Sequence, residues 1–320
     1  MRVAILDDYL GLSQQVADWS PVTATAEVVI FDHPLNTTPL AVEALKDFDI
    51  LCTLRERMPI SRELIAQLPR LKYILVTGKR YDMIDAAAAA EHGVLVSNTR
   101  VDGRGGGGVA ELVWGLILGL ARNIPFEDRM MRQGGWQHSA GISLKNKRLG
   151  IVGLGGLGQQ VAKGGAFFGM DVVAWSQNLT PERAAEAGVR YVSKDELFAS
   201  SDFVTIHVAW SGRTTGLVGG RELGLMKPTA YLVNTARGPI VDEAALVDVL
   251  LRRAIAGAAL DVYEVEPLPQ NHVLRALDNV ILTPHLGYFT REMLAVYYGD
   301  AVRAIAAYIA GNPIDVVNAG

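Results

Sequence analysis

The segment Leu149-Gly150-Ile151-Val152-Gly153-Leu154-Gly155-Gly156-Leu157-Gly158 decides how this chain folds. The apolar residues Leu149–Val152 predict a buried strand, and Leu157–Phe168 predicts a helix. The glycines between them follow the pattern GxGxxG. Gly153 would allow a tight turn, Gly155 would let a ligand approach the backbone, and Gly158 would let the helix pack on the strand. A strand, a glycine turn and a helix in this order predict a dinucleotide-binding site.

The first turn of this helix, which contains Gly156 and Leu157, completes the predicted site. Its unpaired N–H groups and the helix dipole attract a pyrophosphate. An NAD site usually has an Asp or Glu at the end of the next strand, where it binds the ribose hydroxyl. Here that strand, Val172–Trp175, continues into Ser176 without a carboxylate, and Asp171 lies at its other end. The cofactor is therefore NADP or NAD. Ser176 would tolerate the 2′-phosphate of NADP, or it would form a hydrogen bond with the ribose hydroxyl of NAD.

Short runs of β-branched residues alternate with Ala- and Leu-rich segments along nearly the whole chain. This alternation predicts βαβ units, an α/β fold class and two parallel-sheet domains. The first series of predicted strands is Val3–Leu6, Val28–Phe31, Ile50–Thr53, Tyr73–Val76 and Val94–Ser97. The second series is Leu149–Val152, Val172–Trp175, Phe203–His207, Ala230–Val233, Ala258–Val262 and Val280–Leu282.

The domain boundary is predicted near residues 98–108, where polar residues and glycine replace the strand pattern. We interpret the run Gly105–Gly108 as a flexible entry into a helix that begins near Val109, because a phosphate loop would follow a strand directly. The amphipathic segment Arg291–Ala310 predicts a helix that returns to the first domain. The predicted domains are residues 1–100, completed by residues 291–320, and residues 101–290.

Composition excludes several classes of protein. The 320 residues are 50% hydrophobic and 20% charged, which is enough to build sizeable cores. A net charge of -4 argues against a general nucleic-acid binder. The single cysteine, Cys52, fits a reducing compartment, and no apolar run reaches the roughly 18 residues that a membrane span needs. We therefore expect a cytoplasmic protein that binds neither nucleic acid nor membrane.

Three later segments place polar residues directly after predicted strands, where doubly wound folds build their sites. These segments are Asn234-Thr235-Ala236-Arg237-Gly238, Asp261-Val262-Tyr263-Glu264-Val265-Glu266-Pro267 and Thr283-Pro284-His285-Leu286-Gly287. An Arg, a Glu and a His at successive strand ends can supply an anion clamp, an orienting carboxylate and an acid–base group. The alternative for each is structural: a surface ion pair for Arg237 or a turn acid for Glu266.

Together with Gly153–Gly158, these segments resemble the D-2-hydroxyacid dehydrogenases, the D-isomer-specific family that includes glyoxylate and hydroxypyruvate reductases and phosphoglycerate dehydrogenases. The resemblance covers nearly the whole chain. It implies two doubly wound parallel-sheet domains, a flavodoxin-like substrate domain and a Rossmann domain, with a cleft between them. It also implies a homodimer and the reduction of a 2-oxo acid to its D-2-hydroxy acid by NAD(P)H. One cysteine and scattered histidines make no metal site.

The resemblance implies roles for individual residues. Arg237 would hold the substrate carboxylate. His285 would be the general acid, and base in reverse, and Glu266 would orient it and favour its charged form. Asp261 would bind the nicotinamide carboxamide. Thr235, Ala236 and Gly287 would line the nicotinamide end of the site.

In the first domain, Thr77, Gly78 and Lys79 resemble the family's substrate loop, whose N–H groups receive the carboxylate. Lys79 replaces a smaller residue, so it would bind a further anionic group or simply be solvated. Trp136 resembles an aromatic residue that crosses the dimer interface in some members, and an ordinary interface role is the alternative. Two departures from the family are the run Gly105–Gly108 and Gly156-Leu157, where an Arg-Ile pair is common.

Two other functions compete with this interpretation. A corepressor or redox sensor on the same fold would bind the dinucleotide with little turnover. A sugar or alcohol dehydrogenase would need Tyr-x-x-x-Lys or metal ligands, and neither Tyr81 nor Tyr191 has a Lys four residues later. His207 ends a predicted strand near the cofactor, where a structural role is favoured over a catalytic one.

Overall fold

The computed structural model describes residues 1–55, 57–99 and 108–318. Its contacts divide the chain into two compact units. The first unit comprises Met1–Gly106 and Phe289–Gly320, and the second comprises Gly107–Tyr288. Each unit is built around its own parallel sheet.

The first unit contains a five-stranded sheet in the order β2-β1-β3-β4-β5, the flavodoxin-like order. Its strands are β1 (Arg2–Ile5), β2 (Glu27–Ile30), β3 (Ile50–Thr53), β4 (Tyr73–Val76) and β5 (Leu95–Asn98). The helices between them are α1 (Ser13–Val16), α2 (Ser20–Thr23), α3 (Thr38–Leu45), α4 (Arg62–Ala66) and α5 (Ala86–Glu91). Every residue of β3 and β4 is buried, because helices cover both faces of a doubly wound sheet.

The second unit begins with α6 (Gly108–Ala121) and α7 (Ile124–Arg132) and contains a seven-stranded parallel sheet. Its strands are β6 (Arg148–Val152), β7 (Asp171–Trp175), β8 (Arg190–Tyr191), β9 (Phe203–Ile206), β10 (Tyr231–Asn234), β11 (Gly257–Leu260) and β12 (Val280–Leu282). The intervening helices are α8 (Gly156–Phe167), α9 (Pro181–Glu186), α10 (Lys194–Ser200), α11 (Gly220–Leu225) and α12 (Glu243–Leu251). The strand order β12-β11-β10-β9-β6-β7-β8 reverses between β6 and β9, which is where a doubly wound fold binds its ligand.

The chain returns to the first unit through α13 (Arg291–Ile309), which contacts α1, α2 and β4. Thr290 caps this helix by accepting a hydrogen bond from the Met293 N–H. The ring of Tyr308 stacks on that of Tyr73 with centroids 4.2 Å apart. Beyond the helix, the Val317 N–H donates to the Val96 carbonyl at 2.8 Å, which joins the segment to β5.

The predicted α/β fold class with two parallel sheets is confirmed. The predicted strands correspond to observed strands to within two residues at each end. The sequence did not predict β8, because a pair of residues, Arg190–Tyr191, is too short to show a strand pattern. Of the glycine run, Gly108 begins α6, and Gly105–Gly107 lie outside the described residues.

Among the described residues, no single helix is long and apolar enough to cross a membrane. Helices α6 and α7 together pass that test of length and composition only as a pair bent by 63°.

The tightest backbone contact of the glycine turn generates a stability prediction. A Cβ on Gly158 would lie 2.1 Å from the Gly153 carbonyl oxygen, so Gly158→Ala must displace α8 from the turn. Overpacking of this kind costs about 3 kcal/mol, and we expect the free energy of unfolding to fall by that amount in urea denaturation. The control is Gly224→Ala in α11, where a Cβ meets nothing within 4 Å. The control should match or slightly exceed the wild type in stability, and equal stability of both variants would contradict the close contact.

Candidate functional site

The GxGxxG turn is open to a ligand at the start of α8. Gly153 has φ +102°, and a Cβ there would lie 2.8 Å from the backbone carbon of His207. Gly155 is the N-cap residue of α8, no side chain caps the helix, and a Cβ at Gly155 or Gly156 would meet nothing within 4 Å. The turn is therefore tight against the protein on one side and open towards a ligand on the other, which fits the backbone approach of a diphosphate.

Two buried polar atoms directly after β9 and β10 lack hydrogen-bond partners among the described residues: His207 Nδ1 and Thr235 Oγ1. Burial lowers the pKa of His207 to about 4, so its imidazole is neutral at physiological pH. Its Nε2 lies 2.9 Å from Thr205 Oγ1. An unpaired buried polar atom costs free energy that a bound ligand can recover. The open turn and the unsatisfied Thr235 hydroxyl thus fit a dinucleotide, whose ribose and carboxamide groups offer hydrogen-bond partners.

The end of β7 offers no carboxylate to a ribose. Ser176 follows the strand directly and is partly exposed, whereas Asp171 lies at the opposite end. Asp171 accepts hydrogen bonds from the guanidinium groups of Arg148 and Arg190, at 2.7 and 3.2 Å. Arg183 donates to the Asn178 carbonyl at 3.5 Å and is otherwise exposed beside this loop. The surroundings of Ser176 are therefore neutral to basic.

His285 and Glu266 form a close pair. His285 Nδ1 lies 2.7 Å from Glu266 Oε2, and Glu266 Oε1 accepts the Tyr263 N–H at 3.0 Å. Burial works to raise the pKa of Glu266, but the hydrogen bond and charge of His285 outweigh it, so the pKa lies below its ordinary value. Glu266 is therefore ionised at neutral pH, and His285 Nε2 is the ring nitrogen left for another partner.

The structure brings Arg237 to the same pair, since its charge is among the influences that lower the pKa of Glu266. Asn234 shapes the turn that carries it. The Asn234 carboxamide accepts the Ala236 N–H and donates to the Arg237 carbonyl, both at 3.0 Å. Sequence reasoning gave Asn234 no separate role, although an Asn three residues before the Arg was the available signal.

Asp261 is fully buried and accepts three hydrogen bonds from the segment that carries His285. Its Oδ1 accepts from the Thr283 hydroxyl at 2.6 Å and the Leu286 N–H at 2.7 Å, and its Oδ2 accepts from the Gly287 N–H at 2.9 Å. Burial raises the pKa of Asp261, and these three donors oppose the rise. The sequence analysis did not single out Thr283, whose position directly before Pro284-His285 was the only signal.

A second His–Glu pair differs from the first in one respect. His272 Nε2 lies 3.0 Å from Glu243 Oε1, while His272 Nδ1 accepts the Leu274 N–H. Both ring nitrogens of His272 are thus engaged in structural contacts. This pair has the same composition as Glu266–His285 without a nitrogen available for proton transfer.

In the first unit, two N–H groups of the predicted substrate loop donate hydrogen bonds within the protein. The Thr77 N–H donates to the Thr53 carbonyl at 3.1 Å, and the Gly78 N–H donates to the Thr99 hydroxyl at 2.6 Å. Gly78 has φ +95°, and a Cβ there would lie 3.2 Å from Nη1 of Arg55. The Lys79 side chain is exposed. Of Thr77, Gly78 and Lys79, only Lys79 has an N–H group that donates neither of these two hydrogen bonds.

Comparison with known proteins points to one family. A family model described as the NAD binding domain of D-isomer specific 2-hydroxyacid dehydrogenase matches residues 114–287. A glyoxylate reductase of Thermococcus litoralis is 40% identical over 287 residues, which cover 87% of this chain and 86% of the relative. A D-3-phosphoglycerate dehydrogenase of Methanocaldococcus jannaschii is 40% identical over 254 residues. This match covers 78% of this chain but only about half (48%) of that relative. The crystal structure of a phosphoglycerate oxidoreductase from Vibrio cholerae O395 has a TM-score of 0.91 at 34% identity, covering 97% of this chain and 99% of that one.

The neutral surroundings of Ser176 generate a prediction about cofactor preference. Ser176→Asp would set a carboxylate where the 2′-phosphate of NADP has to fit. We expect the ratio of kcat/KM for NADPH to that for NADH to fall at least about tenfold, which corresponds to about 1.4 kcal/mol of repulsion. Ser176→Asn, a neutral control of similar size, should shift the ratio much less. A ratio that is the same in both variants would show that the ribose is bound elsewhere.

Proposed function

Since the chain belongs to the D-isomer specific 2-hydroxyacid dehydrogenase family and is an NAD(P)-dependent oxidoreductase, we propose that it reduces a 2-oxo acid to the D-2-hydroxy acid and catalyses the reverse reaction. The observation that carries this proposal is the 2.7 Å contact between His285 Nδ1 and Glu266 Oε2, with the charge of Arg237 close enough to influence Glu266. An oriented imidazole beside a cation is what carbonyl reduction needs from the protein.

His285 acts as the general acid in the direction of reduction. Because Glu266 holds Nδ1, the proton is delivered from Nε2 to the carbonyl oxygen of the substrate. When bound, a nicotinamide cofactor would supply the hydride for carbon 2. In the reverse direction, Nε2 accepts the hydroxyl proton. The ionised Glu266 bonds Nδ1 and keeps the ring oriented through both directions.

Arg237 binds the substrate carboxylate, since its planar fork can form two parallel hydrogen bonds with a planar anion. The loop of Thr77, Gly78 and Lys79 provides the second contact to the substrate. Because the amides of Thr77 and Gly78 already donate within the first unit, we assign the available N–H to Lys79.

The dinucleotide is held by residues at the carboxyl ends of the strands in the second unit. The open turn and the first turn of α8 would hold the diphosphate, and Ser176 would contact the ribose. The cofactor is NAD or NADP, because the end of β7 neither bonds the ribose with a carboxylate nor repels a phosphate. The proposed cofactor contacts are Gly153, Gly155, Gly156, Leu157, Gly158, Ser176, Thr235, Ala236, Asp261 and Gly287.

We also propose that the protein is a homodimer. Helix α7 buries none of its residues within the chain, although it carries apolar side chains. Ile124, Met131 and the nearby Trp136 are 53%, 51% and 74% exposed. Such apolar exposure on one segment is typical of a surface that a second subunit covers.

The function is tested by following the oxidation of NADPH and, separately, of NADH. The substrates are glyoxylate, hydroxypyruvate, pyruvate, phenylpyruvate and 2-oxoisocaproate. Turnover of at least one substrate, with the D-hydroxy acid as product, supports the proposal. Tight cofactor binding without turnover of any 2-oxo acid would instead favour the sensor or corepressor function.

The acid–base role predicts the effect of removing the imidazole. His285→Ala should lower kcat at least about a thousandfold, while the Kd of the cofactor stays within about threefold of the wild type. The matched control is His272→Ala, which removes the second Glu-paired imidazole and should leave kcat nearly unchanged. Turnover that survives in His285→Ala would contradict the acid–base assignment.

The dimer is tested by adding a charge to its proposed surface. Trp136→Arg should weaken association and shift the mass measured by sedimentation velocity towards that of the monomer. The control is Leu251→Arg on α12, an apolar residue that is also exposed (57%) and lies outside α7 and its neighbourhood. A wild-type chain that sediments as a monomer at micromolar concentration would overturn the proposal.

A further inference from the structure

The backbone at His285 adopts a conformation that needs support. Its φ is +56°, in the left-handed region that L-residues with a Cβ rarely occupy. The local turn supplies one bond, from the His285 N–H to the Thr283 carbonyl at 3.1 Å. Strain of this kind persists only where the surrounding structure fixes it. The residue that delivers the proton is therefore held in place by contacts outside its own turn.

The Asp261 carboxylate makes those contacts on both sides of His285. Its Oδ1 accepts from the hydroxyl of Thr283, two residues before the histidine, and from the amide of Leu286, one residue after it. Its Oδ2 accepts from the amide of Gly287. Bonds to donors that flank His285 fix the path of the backbone through it, whereas Glu266 fixes only the ring.

The anchor itself is rigid. Asp261 directly follows β11, and its N–H donates to the Asn234 carbonyl at 3.0 Å, at the end of the neighbouring strand β10. The side chain has no exposed surface. Gly287 permits the contact from the other side, because a Cβ there would lie 3.3 Å from Asp261 Oδ2.

From this geometry we propose that Asp261 is a positioning residue for His285, which holds the left-handed turn that aims the imidazole before any cofactor binds. This inference rests on the proposed function of His285. The positioning role is additional to the contact that Asp261 is proposed to make with the nicotinamide carboxamide. A carboxylate has about four lone-pair sites, and three of them accept hydrogen bonds from this turn.

The two roles of Asp261 are separated by Asp261→Asn. The amide keeps one oxygen for Thr283 and Leu286 but turns an NH₂ group towards the Gly287 N–H, which places two donors against each other. If Asp261 positions His285, hydrogen exchange at the Leu286 and Gly287 amides of the cofactor-free protein should accelerate at least about tenfold. Under saturating cofactor and substrate, kcat should fall at least about a hundredfold, whatever the change in the cofactor Kd.

The opposite outcome overturns the inference. A weakened cofactor Kd, with wild-type amide exchange and a kcat that recovers at saturation, would leave Asp261 as a cofactor ligand alone.

A milder variant covers the case in which Asp261→Asn does not fold. Thr283→Val removes one of the three donors and leaves the carboxylate, so exchange at Leu286 should still accelerate by a few fold. Thr205→Val, a buried threonine of the same unit that does not contact Asp261, should leave exchange at both amides unchanged. Wild-type exchange in Thr283→Val would contradict the proposal.

Amide exchange also distinguishes this inference from the proposed function, because it needs neither cofactor nor turnover. Faster amide exchange in Asp261→Asn or Thr283→Val, without detectable reductase activity in the wild type, would support the anchored turn and refute the reaction. Reductase activity in the wild type, with unchanged exchange in both variants, would support the reaction and refute the anchored turn.

Discussion

Parallel pairing of the strands in the second unit is the constraint on which the site depends. Because all seven strands run in the same direction, their carboxyl ends lie at one edge of the sheet. The glycine turn follows β6, the Arg237 turn follows β10, Asp261 follows β11 and the His285 turn follows β12. Residues separated by more than a hundred positions in the chain are thereby brought to one edge. The strands fix where these turns begin.

At that edge, two acidic side chains stabilise a histidine in different ways. Glu266 contacts the ring, and its pKa is lowered because the histidine bond and charge outweigh burial. Asp261 contacts the backbone on either side of the ring and is fully buried, so its charge depends on three donors. A buried carboxylate without such donors would be costly, which makes each of these bonds part of the fold as well as of the site. Chemistry and stability therefore depend on the same contacts here.

The sequence predicted the elements well because its signals are local. Strands of four buried, mostly apolar residues, such as β3 and β9, show an apolar run with clear ends. A two-residue strand such as β8 shows none, since pairing with β7 alone makes it a strand. The same holds for the motif residues: Arg237, Glu266 and His285 follow strands in recognisable segments. Asn234 and Thr283 act through hydrogen bonds to neighbours, and no pattern in the sequence marks them as more than turn residues.

The sequence by itself thus determined the α/β class, the position of the dinucleotide turn and the identities of the acid–base candidates, because glycine spacing and residue chemistry are properties of short segments. Only the tertiary structure decided how those groups are arranged. It showed that Glu266 engages Nδ1 of His285, that His272 has both ring nitrogens occupied, and that Asp261 accepts hydrogen bonds from residues on both sides of His285. It also showed that the amides of Thr77 and Gly78 are already paired. The physical reason is that a hydrogen bond depends on distance and direction in space, and residues far apart in the chain acquire these only when the sheet assembles.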